Sequence, residues 1–211
     1  MAQSTARNAE RDAAQAEEEG AARNLTLLTD LYQLTMMSGY LKNGKQNDIA
    51  VFDLFFRRNS VITYSVAAGL EQAIAYIRSI RFTEEDIAYL RSLGLFEEPF
   101  LDYLRSFRFT GDVFAVPEGT VVFPEEPILT VRAPLLEAQF VETALLNIVN
   151  HQTLIATKAA KIAYAAAGGE VMEFGLRRAQ GPDAGVYGAR AAVIGGCGST
   201  SNVLAGRLFG I

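Results

Sequence analysis

The span from Pro134 to Gly169 constrains the fold more than any other stretch of the chain. Directly after Pro134, the residues Leu136, Phe140, Val141, Ala144, Leu145, Ile148 and Val149 recur at helical spacing and form a wide apolar stripe. The pattern predicts one long helix that opens at Leu135 and continues through the alanine-rich run ending at Ala167. It stops at Gly168-Gly169, where glycine accepts the backbone turn that ends a helix. The rest of the chain has to pack along it. Behind it, Glu170–Leu176 reads as a strand, about Pro182 to Val193 as a helix, and Val203–Phe209 as the start of another. Strand and helix in alternation are the units of a parallel barrel or sheet.

The region before Pro134 has a different character. Thr29-Asp30 offers an N-cap to a helix from about Leu31 to Leu41, with Leu31, Leu34, Thr35, Met37 and Ser38 at helical spacing. Ile49–Phe56 is β-branched and aromatic, which predicts a strand ended by Arg57-Arg58. Residues 60–106 read as helical in two or three pieces. One piece opens at a capping box, Thr83-Glu-Glu-Asp86, and another starts near Pro99 with Phe100, Leu101, Leu104 and Phe107 on one side. From Phe109 to Val131 the pattern changes to short strands broken by proline-containing turns. Residues 1–23 hold no aromatic residue and no aliphatic one beyond alanine and Met1, so they are expected to form a disordered or frayed helical extension. The reading therefore has three parts: the extension over 1–23, an α+β domain over 24–133, and the opening of an α/β domain over 134–211. No internal repeat is found.

Composition removes several function classes. A net charge of −5 with no clustered basic face argues against a nucleic-acid partner, and an anionic ligand would have to be held by local arginines. No apolar run reaches the roughly 18 residues of a membrane span, which argues against a membrane partner. The single cysteine, Cys197, excludes an internal disulfide framework and fits a reducing compartment, so a cytoplasmic location is expected. The sole histidine, His151, excludes a His-rich metal site.

The chemical candidates cluster near the C-terminal end. Arg177 and Arg178 follow the apolar run from Val171 and precede a Gly-Pro-Asp turn. Guanidinium forks at the end of a strand suit bidentate capture of phosphate or carboxylate, although a surface pair on a βα loop has the same sequence. Phe174 lies three residues earlier and faces away from Arg177 if the strand stays regular; it is a ring-stacking group or a core aromatic. The loop Gly195-Gly-Cys-Gly-Ser-Thr-Ser-Asn202 can present N–H groups and the hydroxyls of Ser199 and Thr200 to a phosphate, or serve as ordinary helix caps. Tyr32 offers a flat apolar face with a hydroxyl handle, or a buried helix position. His151 falls inside the long helix, where a packed side chain is the plainer reading. Cys197 has no histidine near it in sequence to make it a nucleophile.

Three stretches resemble nicotinate phosphoribosyltransferase. Glu173-Phe-Gly-Leu-Arg-Arg-Ala-Gln-Gly-Pro-Asp-Ala-Gly185 looks like that family's signature strand and loop, and Thr29-Asp-Leu-Tyr-Gln-Leu-Thr-Met36 like its N-terminal segment. The loop at 195–202 is similar to its Gly-Gly-Cys-x-Gly-Thr-Ser-Asn run, with Ser199 where the family has glycine. The resemblance runs from about residue 25 to Ile211. It implies an α/β fold in which an N-terminal α+β domain is followed by the first units of an incomplete type II phosphoribosyltransferase (TIM-like) barrel. It also implies the joining of nicotinate and phosphoribosyl pyrophosphate to nicotinate mononucleotide, the entry step of NAD salvage, with ATP hydrolysis as drive and Mg²⁺ on the diphosphate.

By the same resemblance, Arg177 and Arg178 hold the anionic groups and Phe174 stacks the pyridine ring. Ser199 and Thr200 lie at a phosphate, and Tyr32 reaches the nicotinate ring in the partner's site of a homodimer. Arg57, in Phe55-Phe-Arg-Arg58, echoes an arginine near phosphate, but Asn59-Ser60 departs from the family pattern there. The family's phospho-accepting histidine sits in a Gly-Thr-x-x-His-Ser loop, which Asn150-His-Gln-Thr153 does not match, so no catalytic residue is assigned. From Pro134 onward 78 residues remain, room for about two βα units of ~30 residues each, against ~250 for a full barrel. The expectation is an N-terminal portion of the enzyme, inactive alone. The alternatives are a sister enzyme taking nicotinamide or quinolinate, and a non-catalytic remnant that only dimerises.

Overall fold

The computed structural model describes residues 23–58 and 60–211, so the extension expected over 1–23 lies, Arg23 apart, outside the described residues. The described chain starts with helix α1 (Leu31–Lys42) and strand β1 (Ile49–Leu54), then β2 (Ser65–Val66). Helices α2 (Leu70–Ser79), α3 (Glu84–Ser92) and α4 (Glu98–Ser106) follow, and then strands β3 (Asp112–Ala115), β4 (Val121–Val122) and β5 (Leu129–Pro134). The long helix α5 (Leu135–Ala165) leads to β6 (Met172–Glu173), a 3₁₀ turn (Leu176–Arg178), α6 (Pro182–Ile194), β7 (Ser199–Thr200) and α7 (Val203–Phe209).

β5 is the centre of an antiparallel sheet in the order β1-β5-β3, with Leu54 opposite Leu129 and Asp112 opposite Arg132. β2 and β4 form a separate antiparallel pair, and β6 and β7 a parallel one. Because α6 connects β6 to β7, this last piece is a βαβ unit.

The main core lies between the three-stranded sheet and helices α1 to α5. Phe140 is fully buried at its centre, with ring centroids 5.3 Å from Phe82 and 5.0 Å from Phe107. The capping box starts α3 as expected: Thr83 accepts from the Asp86 N–H and Asp86 from the Thr83 N–H. Helix α5 continues past this core into a smaller one, where Ala156 and Ala159 meet Ala191, Ala192 and Cys197. Between the two, Thr153 and Thr157 accept hydrogen bonds from the Ala68 and Val66 N–H groups, 3.2 and 2.9 Å, satisfying the backbone of a strand that pairs on one side only.

Several expectations need correction. The strand expected over 170–176 is only Met172–Glu173, and Arg177 and Arg178 sit in the 3₁₀ turn after it. The alternation argument that set Phe174 opposite Arg177 therefore lapses. Ser199 and Thr200 are not loop residues but form β7, drawn into pairing by β6. The segment 60–106 holds strand β2 as well as helices, and β1 ends at Leu54. On α1 the buried face is Gln33, Leu34, Met37 and Ser38, whereas Leu31 is half exposed. The burial of Gln33 depends on polar partners that hydropathy does not encode: its amide donates to Glu142 at 2.8 Å and accepts from Gln139. Asp30 stands at the N-cap position of α1 but makes no side-chain cap; its carboxylate accepts from the Thr143 hydroxyl at 3.0 Å.

Candidate functional site

Parallel pairing of β6 with β7 places Met172 beside Ser199 and Glu173 beside Thr200. Glu173 secures the carboxyl ends of both strands. Its carboxylate accepts from the Thr200 hydroxyl at 2.6 Å and from the Gly175 N–H, and its carbonyl accepts from the Ser201 N–H at 3.0 Å. The chain then turns sharply, with the Arg178 N–H donating to the Gly175 carbonyl at 2.9 Å. Phe174 is 57% exposed, and Arg177 and Arg178 are exposed beside it. Neither guanidinium has a hydrogen-bond or ion-pair partner among the described residues.

Unspent cationic forks next to a bare aromatic ring, at the carboxyl ends of parallel strands, form the edge where α/β proteins bind ligands. A flat acid or a phosphate ester suits both features. The Ser199 and Thr200 hydroxyls are less open: Ser199 Oγ is buried without a partner, and Thr200 donates to Glu173. Asn202 fixes the exit of β7, capping α7 through the Ala205 N–H at 3.1 Å and donating to the Gly185 carbonyl of α6 at 3.1 Å.

Tyr32 belongs to a different cluster. It is 49% exposed on α1, and its hydroxyl accepts from Gln33 at 3.0 Å. Its ionisation is pushed up by desolvation and by the carboxylates of Glu142 and Asp30. Its neighbours lie on α1 and α5, not on β6 or β7. Arg57 lines a groove of about 520 Å³ with Ser65, Asn147, Asn150 and Thr153. His151 lies on α5 as expected; its Nε2–H donates to the Ala184 carbonyl at 3.2 Å, so it packs the start of α6. Burial pushes the Cys197 thiol up and the Glu173 carboxylate pushes it further, which suppresses the nucleophilic thiolate.

Residues 27–150 match the model of the nicotinate phosphoribosyltransferase (NAPRTase) N-terminal domain. The chain belongs to the nicotinate phosphoribosyltransferase family. It is 51% identical over 189 residues to the nicotinate phosphoribosyltransferase of Bacillus subtilis, covering 89% of this chain and 39% of that protein. It is 46% identical over 186 residues to a nicotinate phosphoribosyltransferase of Mycobacterium tuberculosis, covering 88% and 40%. Among solved structures, human nicotinic acid phosphoribosyltransferase superposes with a TM-score of 0.78 at 41% identity, over 85% of this chain and 37% of that one. A nicotinate-nucleotide pyrophosphorylase of Pyrococcus furiosus superposes with a TM-score of 0.69 at 25% identity, over 90% and 42%. The chain thus spans about two fifths of the length of the relatives it matches.

This nicotinate phosphoribosyltransferase-family chain also holds a polar network that sequence reading did not single out. Arg190, on α6, donates to Glu118 at 2.9 and 2.7 Å, to Gln152 at 3.2 Å and to Glu71 at 2.5 Å. Glu118 in turn accepts from the Gly69 and Leu70 N–H groups at 2.6 and 3.1 Å and so caps α2. Burial disfavours the Glu118 carboxylate, but the Arg190 hydrogen bond and the Gly69 N–H outweigh it and hold the group below the usual carboxylate range. Glu118 sits in a Pro-Glu-Gly turn that reads as ordinary loop chemistry, and nothing local marks a partner 72 residues away.

Proposed function

We propose that the chain serves the joining of nicotinate to phosphoribosyl pyrophosphate, with release of pyrophosphate, in NAD salvage. In that transfer the pyridine nitrogen forms a bond to ribose C1 as the C1–O bond to pyrophosphate breaks, and the leaving group takes the bonding electrons. A protein serves such a step by holding the departing anion and stabilising an oxocarbenium-like sugar. The observation that carries the reading is the unpaired Arg177-Arg178 turn at the carboxyl end of β6, with Phe174 exposed beside it. In this reading the forks take the anionic groups, Phe174 supplies a ring face, and Ser199 and Thr200 shape the floor. The β6–α6–β7 unit is then the opening of a type II phosphoribosyltransferase barrel, and Tyr32 acts in the second subunit of a homodimer.

The described residues do not themselves cage Mg²⁺. No group of three or more His, Cys, Asp or Glu converges, and Glu173, beside the turn, is already bonded to Thr200 and Gly175. A metal would arrive with the diphosphate, to which it would lend charge neutralisation. The test is retention of radiolabelled phosphoribosyl pyrophosphate by the purified protein and by Arg177→Ala/Arg178→Ala. Retention lost in the variant supports the reading; equal retention in both overturns it.

A further inference from the structure

A second anion site lies away from the Arg177-Arg178 turn. Contrary to the reading that the chain lacks internal repeats, the hexapeptide Arg78-Ser-Ile-Arg-Phe-Thr83 recurs as Arg105-Ser-Phe-Arg-Phe-Thr110. The two copies end α2 and α4 with the same geometry: Ile80 has φ −55° and ψ 116°, and Phe107 has φ −57° and ψ 130°. In each copy the middle apolar residue is buried and the following arginine is exposed. Arg81 Nη1 donates to the Ile80 carbonyl at 2.5 Å, and Arg108 Nη1 to the Phe107 carbonyl at 2.5 Å. These bonds orient both guanidiniums, whose remaining N–H groups have no partner among the described residues. Phe82 and Phe107 then meet edge to face at 5.8 Å, which locks the two copies against each other.

The consequence is a groove of about 610 Å³ lined by Arg78, Arg81, Arg108, Phe109, Ile77 and Val113, with Ile74 and Gly111 completing it. No carboxylate lines it. The acidic residues nearest in sequence pair with other arginines: Asp112 with Arg132 at 3.5 Å, Glu84 with Arg105 at 3.1 Å and Glu71 with Arg190 at 2.5 Å; Glu137 accepts from the Thr110 N–H and hydroxyl beside the groove. The three arginines have no ion-pair partner among the described residues, whereas Arg91 and Arg132 each have one and Arg105 and Arg190 two. Two helix carboxyl ends face the same place and account for part of that charge, but each contributes only about half a negative charge. Even with Glu137 counted beside it, a positive surplus is left over in a protein whose net charge is −5. Gly111 shapes the floor: a Cβ there would lie 2.3 Å from the Ala133 Cβ and 2.7 Å from the Arg132 carbonyl, so the loop can sit this close only as glycine.

We propose that this groove binds a small organic phosphate carrying at least two negative charges, with the guanidinium forks on the phosphates and the Phe109–Ile77–Val113 wall against its apolar part. The volume falls in the range of small-molecule sites, and charge-assisted forks favour phosphate over monovalent anions. The proposal is independent of the function assigned to the Arg177-Arg178 turn.

The test is isothermal titration calorimetry of sodium tripolyphosphate into the full chain at constant ionic strength. The proteins compared are the parent, Arg81→Gln/Arg108→Gln and Arg177→Gln/Arg178→Gln, each checked by circular dichroism for an unchanged melt. The expected result is a site that the first variant weakens by about tenfold or more and the second leaves in place. Arg81→Lys/Arg108→Lys, which keeps the charge but not the fork, should fall between. Binding undiminished in Arg81→Gln/Arg108→Gln, binding lost only with Arg177→Gln/Arg178→Gln, or no heat with the parent at millimolar tripolyphosphate overturns the proposal.

Discussion

The front of the molecule, the sheet β1-β5-β3 with the helices packed on it, and the rear β6–α6–β7 unit are built by opposite means. The front core buries large side chains: Met37, Ile80, Ile87, Leu101, Leu104, Leu136 and Phe140 are all nearly or fully inaccessible. The rear unit is held by small ones, with its Ala189, Ala191 and Ala192 buried along with Ala156 and Ala159 of α5, while its large residues Met172, Phe174 and Leu176 are exposed. Large apolar groups stabilise by the area they remove from water, about 25 cal/mol per Å². Small ones offer little area and work instead by letting backbones approach. Apolar burial is therefore concentrated in front, whereas the rear unit leaves aromatic and cationic groups bare on its surface.

The sharpest way to break that contrast is to empty the front. Phe140→Ala removes the ring that Phe82 and Phe107 pack against, and the expected cost is about 3–5 kcal/mol. Urea denaturation followed by tyrosine fluorescence measures it; a loss below ~1 kcal/mol would mean the front is not the stable half.

A smaller effect is expected from crowding the rear. At Gly195 a Cβ would meet the Ala156 carbonyl at 2.3 Å and the Ala159 Cβ at 2.7 Å, both on α5. Backbone cannot rotate away as a side-chain tip can, so Gly195→Ala should cost about 1–3 kcal/mol by overpacking. Hydrogen exchange should quicken in α6 and β7 while the front sheet keeps its protection. Uniform acceleration across both regions would show one cooperative unit instead of two.

These two positions also show what sequence could and could not reveal. Phe140 belongs to a stripe of large residues at helical spacing, so α5 and its buried face were legible within two residues at its C-terminal end. α3 and α4 were likewise legible through Thr83, Asp86 and Pro99, whose roles are set by neighbours three or fewer residues away. β6 was read too long because Phe174 and Leu176 continue an apolar pattern, yet β7 pairs with only Met172 and Glu173. The pairing length is a property of two segments, and alternation reports on one. The candidate site was legible in its arginines and aromatic, since an exposed Arg pair needs no distant partner to be noticed. Glu118 and Arg190 were invisible for the reverse reason: each looks like a surface charge until the fold brings them together.

Joining the two regions is the Arg190–Glu118 bridge, and its removal should cost less than either packing change. Glu118→Gln leaves Arg190 paired to Glu71, and Glu118 keeps some contact with water, so the expected loss is about 1 kcal/mol at pH 7. The pH dependence has a definite sign. The folded-state carboxyl is held below its ordinary value, so its contribution is full above the unfolded pKa, about 4.3, and fades as pH falls through the lower folded value. Denaturation of parent and variant should therefore differ at pH 7 and converge progressively as pH falls below about 4.3. A difference that persists undiminished in acid would assign the effect to shape and not to charge.

The smallest expected effect on stability is the most informative about the rear unit. Arg177 is exposed and unpaired among the described residues, and the backbone of its turn is tied down by the Arg178 N–H to Gly175 and the Ala179 N–H to Leu176. Truncation to alanine removes no buried area and strands no polar partner, so Arg177→Ala should change unfolding free energy by no more than about 0.5 kcal/mol. Retention of phosphoribosyl pyrophosphate should nevertheless fall by roughly tenfold or more, because a charge-assisted fork is worth about 1.5–3 kcal/mol. Denaturation and ligand retention measured on one preparation decide the matter. If stability drops by more than about 1 kcal/mol while retention is unchanged, Arg177 is a structural residue of the turn. The rear unit would then hold its charge for its own fold, and the division of labour between the two regions would fail at the residue that most clearly represents it.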